Sequence, residues 1–264
     1  LFLAAAICGS TAPAAAAPKG MECTAPHDVL RLNSRLPNTA RAIRRNQELV
    51  IVAIGSSSTE GVGASSPANT YPARLARELA THWPKLRLRM INKGVGGETV
   101  TEMLARFETD VLAYRPHLVI WQAGSNALLT QQNIDLYLKT LRQGLMRLKT
   151  ARTDVILMDP QFAPKVIAQQ MHRRVIGAMG ALANDLNVGL FQRFAVMKYW
   201  VSSGNTKVED VISRDRLHMN DASYGCIARL LADSMSKAAY PDVGLTPADS
   251  AREPLSRYRT GPPG

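Results

Sequence analysis

A chain of 264 residues, 46% of them hydrophobic, is long enough for one large α/β domain or two small ones with a sizeable core. Its formal net charge of +11 comes from Lys and Arg scattered along the chain, with no run of five or more, which argues against a nucleic-acid footprint. Attraction to anionic glycans or cell-envelope surfaces is compatible with that charge.

The chain opens on LFLAAAICGSTAPAAAAPKG, a short apolar run followed by small residues. It is shorter than the roughly 20 apolar residues of a membrane span. It reads as the apolar region and cleavage zone of a signal peptide covering about residues 1–17. The expected mature protein is exported, periplasmic or secreted, without an integral membrane span. Cys8 raises lipoprotein processing, against which Ile7 stands as a poor neighbour for a lipidated cysteine. Cleavage leaves Cys23 and Cys226, and an even count in an oxidising compartment points to a disulfide. Two independent buried thiols are the alternative.

Residues 18–48 read as an N-terminal extension. LVIVAI, residues 49–54, is a buried strand running into GSSSTEG. YPARLARELATHW is a helix with Leu75, Leu79, Ala76 and Ala80 on one face. LRLRMIN alternates at period two, a strand with one exposed face, and ends in NKGVGGET. TVTEMLARFETDVLAY is helical, with Thr99 as N-cap and Glu102 three residues on. HLVIWQ, residues 117–122, is a third strand, with Trp121 a core residue, and ends in AGSNA. A long helix follows over NIDLYLKTLRQGLMRLKTA. DVILMD is a fourth strand, with Met158 in the core, broken at Pro160 and followed by Gln161. KVIAQQMHRRVIGAMGALANDLN reads as one helix, VGLFQ as a short fifth strand and DASYGCIARLLADSMSKAA as the last helix. Residues 240–264 carry five prolines and little apolar periodicity, the pattern of a poorly ordered tail. No metal-ligand spacing is present; His27, His82, His117 and His172 stand without ligand partners.

Alternating strands and helices imply a parallel sheet covered on both faces, with every strand's C-terminal end on one edge, where ligands bind. The polar clusters fall at those ends. Serine hydrolysis needs a hydroxyl, an imidazole base, a carboxylate to orient it and donors for an oxyanion. The base is sought in SRDRLHMND, where Asp215 and His218 are three apart and can face the same way. The plainer alternative is a helix-capping turn, with Asn220 or Asp221 as cap and His218 merely exposed.

GSSSTEG resembles the first block of the SGNH hydrolases, the GDSL-type esterases and lipases. That frame aligns Gly55, Ser57, Thr59 and Gly61 and selects Ser57 as nucleophile. NKGVGGET is similar to the second block and places its oxyanion glycine at Gly97. GSNA resembles the third block, whose side-chain donor is Asn126. DRLH resembles the last, with Asp215 and His218. The four blocks occur in order across residues 50–235. The resemblance implies a three-layer α/β/α, flavodoxin-like domain over 49–239 with about five parallel strands. It also implies an oxyanion hole from Ser57, Gly97 and Asn126, and no metal or organic cofactor. Ser56 and Ala127 stand where the family has loop-anchoring aspartates; a serine is able to keep one such hydrogen bond, an alanine is not. Ser56 and Ser58 are expected to cap or to hydrogen-bond the following turn. Gln161 is a candidate substrate contact, against an ordinary loop role.

The expected activity is serine ester hydrolysis through an acyl-enzyme. The expected partner is a small-molecule or glycan ester such as an O-acetylated carbohydrate, and not nucleic acid. Acyl transfer to a sugar hydroxyl and non-catalytic glycan or envelope binding on the same scaffold are the alternatives.

Overall fold

The computed structural model describes residues 22–203 and 206–240. The expected signal segment, Cys8 and the expected tail beyond residue 240 lie outside the described residues. In chain order, helices α1 (His27–Leu30) and α2 (Pro37–Arg44) lead to strand β1 (Leu49–Gly55), followed by α3 (Ser57–Glu60) and α4 (Tyr71–His82). Strand β2 (Leu88–Gly94), helices α5 (Val100–Ala105) and α6 (Phe107–Asp110) and strand β3 (Leu118–Gln122) come next. Then follow α7 (Ser125–Leu129), α8 (Ile134–Thr150), β4 (Asp154–Met158), α9 (Pro164–Ile167) and α10 (His172–Asp185). The chain continues through β5 (Gly189–Phe191), α11 (Arg193–Ser202), α12 (Val208–Val211) and α13 (Asp221–Ala239).

The five strands form one sheet in the order β2-β1-β3-β4-β5, and every neighbouring pair is parallel. Ile51 pairs with Met90 on one side and Leu118 on the other; Ile120 pairs with Ile156. β1, β3 and β4 are buried along their whole length, which is why they read as unbroken apolar runs. Each fully buried Ile, Val or Leu there contributes about 1.5–3 kcal/mol. β2 is an edge strand, and its half-exposed pattern is the period-two alternation of its sequence.

The chain leaves β1 in one direction for β2 and later crosses from β3 to β4 in the other. Right-handed crossovers therefore put α4 on one face and α8 on the opposite face. α13 packs on α4 and touches α2, while α5 and α10 pack against α8. This is the expected three-layer α/β/α arrangement. The order reverses between β1 and β3, so their C-terminal ends frame the crevice where ligands bind in such sheets.

Three expectations change. The helix read over 99–114 breaks at Arg106, whose guanidinium donates to both Glu98 oxygens, to Asp110 and to the Lys93 carbonyl. Those bonds pull the backbone toward the end of β2. The helix read over 165–187 splits into α9 and α10 at residues 168–171, and the Lys165 N–H donates to the Arg216 carbonyl, which ties α9 to the segment carrying Asp215. On α4, Leu75 and Leu79 are fully buried, whereas Ala76 is half-buried and Ala80 exposed, so the apolar face is narrower than its spacing suggests.

The extension preceding β1 is part of the core. Leu32, Leu36, Ala40 and Ala42 are buried. Cys23 is disulfide-bonded to Cys226 on α13 with their Cα atoms 5.2 Å apart, which sets aside two separate thiols. The Trp200 indole N–H donates to the Thr24 carbonyl at 2.9 Å beside it.

Candidate active site

β1 ends at Gly55 and the chain turns at once into α3, whose first residue is Ser57. A side chain at Gly55 would meet Thr59 Oγ1 at 2.2 Å and Gln122 Oε1 at 2.8 Å, so the tight turn requires glycine. The Ser56 N–H (3.0 Å), Ser56 hydroxyl (3.2 Å) and Thr59 hydroxyl (3.2 Å) all donate to Gln122 Oε1 at the end of β3. Ser56 and Thr59 thus fasten the turn, and Ser58 is buried. Ser57 is half-buried, with its Oγ 2.8 Å from His218 Nε2.

Behind His218, its Nδ1 is hydrogen-bonded to Asp215 Oδ2. Asp215 Oδ1 accepts the Leu217 N–H at 2.9 Å and the His218 N–H at 3.0 Å. Partial burial pushes the Asp215 carboxyl up, but the His218 ring and these two N–H donors outweigh it and hold it below the ordinary range. Asp215 is therefore anionic at neutral pH, as a group orienting an imidazole must be. Capping of the last helix does not involve His218. Asn220 caps α13 by accepting the Ser223 N–H at 3.1 Å, leaving His218 free to face Ser57.

Contacts from the start of α13 hold Ser57 and His218 in register. Asp221 accepts the Ser65 N–H (2.8 Å) and hydroxyl (2.5 Å), and the Tyr224 hydroxyl donates to the Val62 carbonyl at 2.7 Å. Both tie the segment after Ser57 to the helix after His218. Nothing local in the sequence marks these pairs, which lie more than 150 residues apart.

The loop after β2 closes on Ser57 from the other side. A Cβ on Gly96 would lie 4.0 Å from Ser57 Cβ, and Gly97 has φ +80, a conformation that favours glycine. Gly97 is exposed, and its N–H donates to no acceptor among the described residues. Asn126, at the start of α7, gives one amide N–H to the Glu98 carbonyl at 2.8 Å. That bond fixes the amide against the Gly97 loop and leaves a second N–H for a ligand. The resemblance makes that N–H an oxyanion donor, and on that expectation Asn126→Ala should lower kcat by about 100- to 1,000-fold with a smaller change in KM. Steady-state kinetics on p-nitrophenyl acetate read this; an unchanged kcat would remove Asn126 from the hole. Ala127, where the family resemblance places an aspartate, is buried and contributes no polar group.

Gln161 is placed differently from a substrate contact. It is 1% exposed; its Oε1 accepts the Ser125 hydroxyl and Arg193 Nη2, both at 2.9 Å, and its Nε2 donates to the Leu217 carbonyl at 3.0 Å. Its polar atoms are spent inside the protein, so of the two readings of Gln161 the structural one fits, as a clamp between loops. The clamp joins the end of β4 to the residue before Asn126 and the residue before His218. Arg193, fully buried at the start of α11, also donates its Nε to the Asp159 carbonyl at 3.0 Å. A single charged residue inside the apolar run GLFQRFAVM was the available sign of this buried polar layer.

Asp159 is buried in the same layer. Burial pushes its carboxyl up to about 7, against the Phe194 N–H and Arg193, which pull it down. The folded protein keeps this proton as pH rises from about 4 to about 7, while the unfolded chain loses it. Its contribution to stability is thus fully present below about pH 4 and lost as pH rises through about 7. Urea denaturation at pH 5 and pH 8 should show a smaller loss of stability with pH in Asp159→Asn than in the unaltered chain. Equal slopes would contradict the assignment.

Residues 22–240 match the family described as non-GDSL lipase-like. The chain belongs to that family. A curated relative is the acetylxylan esterase of Geobacillus stearothermophilus, 28% identical over 193 residues that cover 66% of this chain and 85% of the esterase. Among solved structures, a two-domain esterase active on acetylated mannans, co-crystallised with mannopentaose, superimposes with a TM-score of 0.66 at 21% identity. That match covers 80% of this chain and 56% of the other, so this non-GDSL lipase-like chain spans little more than half of the mannan esterase. A crystal structure of the G. stearothermophilus acetylxylan esterase gives a TM-score of 0.61 at 23% identity, covering 71% of this chain and 94% of that one. Family and fold agree with the SGNH-like reading of the sequence.

Proposed function

We propose that this non-GDSL lipase-like protein is a carboxylic ester hydrolase that removes acetyl groups from acetylated carbohydrate through a Ser57 acyl-enzyme. The observation that carries the reading is the 2.8 Å contact between Ser57 Oγ and His218 Nε2, with Asp215 behind the ring. Relatives named for acetylated xylan and acetylated mannan support the substrate class.

In this mechanism Ser57 Oγ attacks the acetyl carbonyl carbon and its proton passes to His218 Nε2. The N–H groups of Ser57 and Gly97 and the free N–H of Asn126 hold the oxyanion. Collapse breaks the C–O bond to the sugar, and the departing oxygen takes the proton from His218. Water then attacks the acetyl-enzyme with His218 again as base, releasing acetate and restoring Ser57.

Export fits the disulfide, which persists in oxidising compartments. Among the described residues no helix is long and apolar enough to cross a membrane. The test is fluorophosphonate labelling followed by acetate release from acetylated xylo- and manno-oligosaccharides, beside p-nitrophenyl esters of increasing acyl length. Labelling confined to Ser57, with acetyl esters turned over fastest, is expected. Folded protein that takes no label, or that prefers long acyl chains, would overturn the reading.

A further inference from the structure

A second concavity lies at the opposite end of the sheet from Ser57. Thr153, Asp154 and Val155, at the N-terminal end of β4, line it, whereas the catalytic rim follows the strands' C-terminal ends. It is a cleft of about 920 Å3 between the extension before β1, the turns at Arg152 and Asn187, and the last turns of α13. That volume lies in the range of ligand sites, about 300–1,000 Å3.

Its charge is one-sided. Arg31, Arg35, Lys149, Arg152 and Lys237 line it together with His27, and all five Lys and Arg are exposed. Arg31, Lys149, Arg152 and Lys237 form no ion pair among the described residues; the nearby Arg142–Asp185 pair lies outside the cleft. The single lining carboxylate, Asp154, is 7% exposed and turned inward. Its Oδ1 accepts the Asn38 N–H (3.2 Å) and side-chain amide (3.0 Å), and its Oδ2 the Thr39 N–H (2.8 Å) and hydroxyl (2.9 Å). Among the described residues, no carboxylate pairs with Arg31, Lys149, Arg152 or Lys237. Like charges gathered at a concavity repel one another and focus a positive potential into it, which favours an anionic occupant. Between the cations stand Asn33, Asn187 and Ser34, groups that hydrogen-bond hydroxyls.

We propose that this cleft is a non-catalytic glycan site for a carboxylate-bearing polysaccharide segment, a uronate chain. It would hold the polymer while acetyl esters are removed at the other end of the sheet. The choice of a glycan over other polyanions rests on the esterase reading above; the capture of an anion rests on the cleft alone.

The test is calorimetric titration of the full chain with hexagalacturonate and with neutral xylohexaose, at 20 and 200 mM NaCl. Neither probe carries an ester, so loss of binding would leave the esterase reading intact, and absence of Ser57 labelling would leave the binding result intact. Hexagalacturonate should bind, and weaken by about tenfold or more at the higher salt. The double variant Arg31→Glu/Lys237→Glu should lose about tenfold or more in affinity with an unchanged melting temperature. Should charge reversal disturb folding, Arg31→Gln and Lys237→Gln, made singly, should each cost about two- to fivefold. Absence of binding, equal affinity for xylohexaose, or affinity unmoved by these substitutions would overturn the proposal. So would tighter binding of a 12-nucleotide single-stranded DNA or of phosphatidylglycerol vesicles.

Discussion

Ser57→Ala is expected to lose ester hydrolysis by about 10^6-fold in kcat while melting at the temperature of the unaltered protein. The size of the effect follows from what the hydroxyl does. It is the atom proposed to form the acyl bond, and no neighbour replaces it: Ser56 is bound to Gln122, and Ser58 is buried. His218→Ala should cost about as much, and the double variant little more, because nucleophile and base act in one step. A residual rate of about 10^3- to 10^4-fold over water is expected from the oxyanion donors and substrate positioning. Stability should not fall, since Ser57 Oγ bonds His218 across a half-buried cleft and fills no part of the core. Kinetics on p-nitrophenyl acetate with a melting curve of each variant decide this. A Ser57→Ala protein within about tenfold of the unaltered rate would remove Ser57 as nucleophile.

The largest effect on stability should come from opening the Cys23–Cys226 bond. It closes a loop with a sequence separation of 203 residues, and cross-links of this kind stabilise mainly by restricting the unfolded chain. Cys23→Ser, or reduction with dithiothreitol, should cost about 2–5 kcal/mol. For a domain of this length that lowers the melting temperature by about 5–15 °C. The bond joins the extension before β1 to α13, the helix whose first turns position His218. Heat inactivation of esterase activity should therefore advance together with unfolding, while the rate at 25 °C stays close to that of the oxidised protein. Calorimetry and residual-activity curves under reducing and oxidising conditions measure both. A melting temperature unmoved in Cys23→Ser would mean that the cross-link itself adds little to the stability of the fold.

Two features of the site show how Ser56 and Ala127, where the resemblance expects aspartates, fit its geometry. The nucleophile turn is fastened by Gln122, which accepts from Ser56 and Thr59 together, so a serine at position 56 still anchors it. The Asn126 helix is fastened from beneath by Ser125 on Gln161 and laterally by Asn126 on the Glu98 carbonyl, so Ala127 is free to pack in the core. Gln122 and Gln161, at the ends of adjacent strands, thus tether the Ser57 turn, the Asn126 helix and the His218 segment.

The strand order of residue types was legible because each buried strand is an unbroken apolar run and each run ends in a cluster of small and polar residues. α8 and α13 were legible because their apolar spacing and Asn caps are local. The break at Arg106 was not, because side-chain bonds to Glu98 and to the Lys93 carbonyl accompany it, and no local pattern marked the break at residues 168–171. α11 was missed because the first of its buried positions is an arginine, a residue that reads as solvent-facing until a buried acceptor is known.

By itself, then, the sequence determined the parallel α/β class and the chemical types gathered at the strand ends; the SGNH-like resemblance picked out Ser57, Asp215 and His218 among them. Those are properties of short segments, carried by periodicity and by neighbours a few residues apart. Only the tertiary structure decided that Ser57 and His218 meet across 161 residues, that Gln161 faces inward, and that five cations gather at the far end of the sheet. Contacts between distant segments depend on how strands are ordered and helices packed, and no local pattern encodes that.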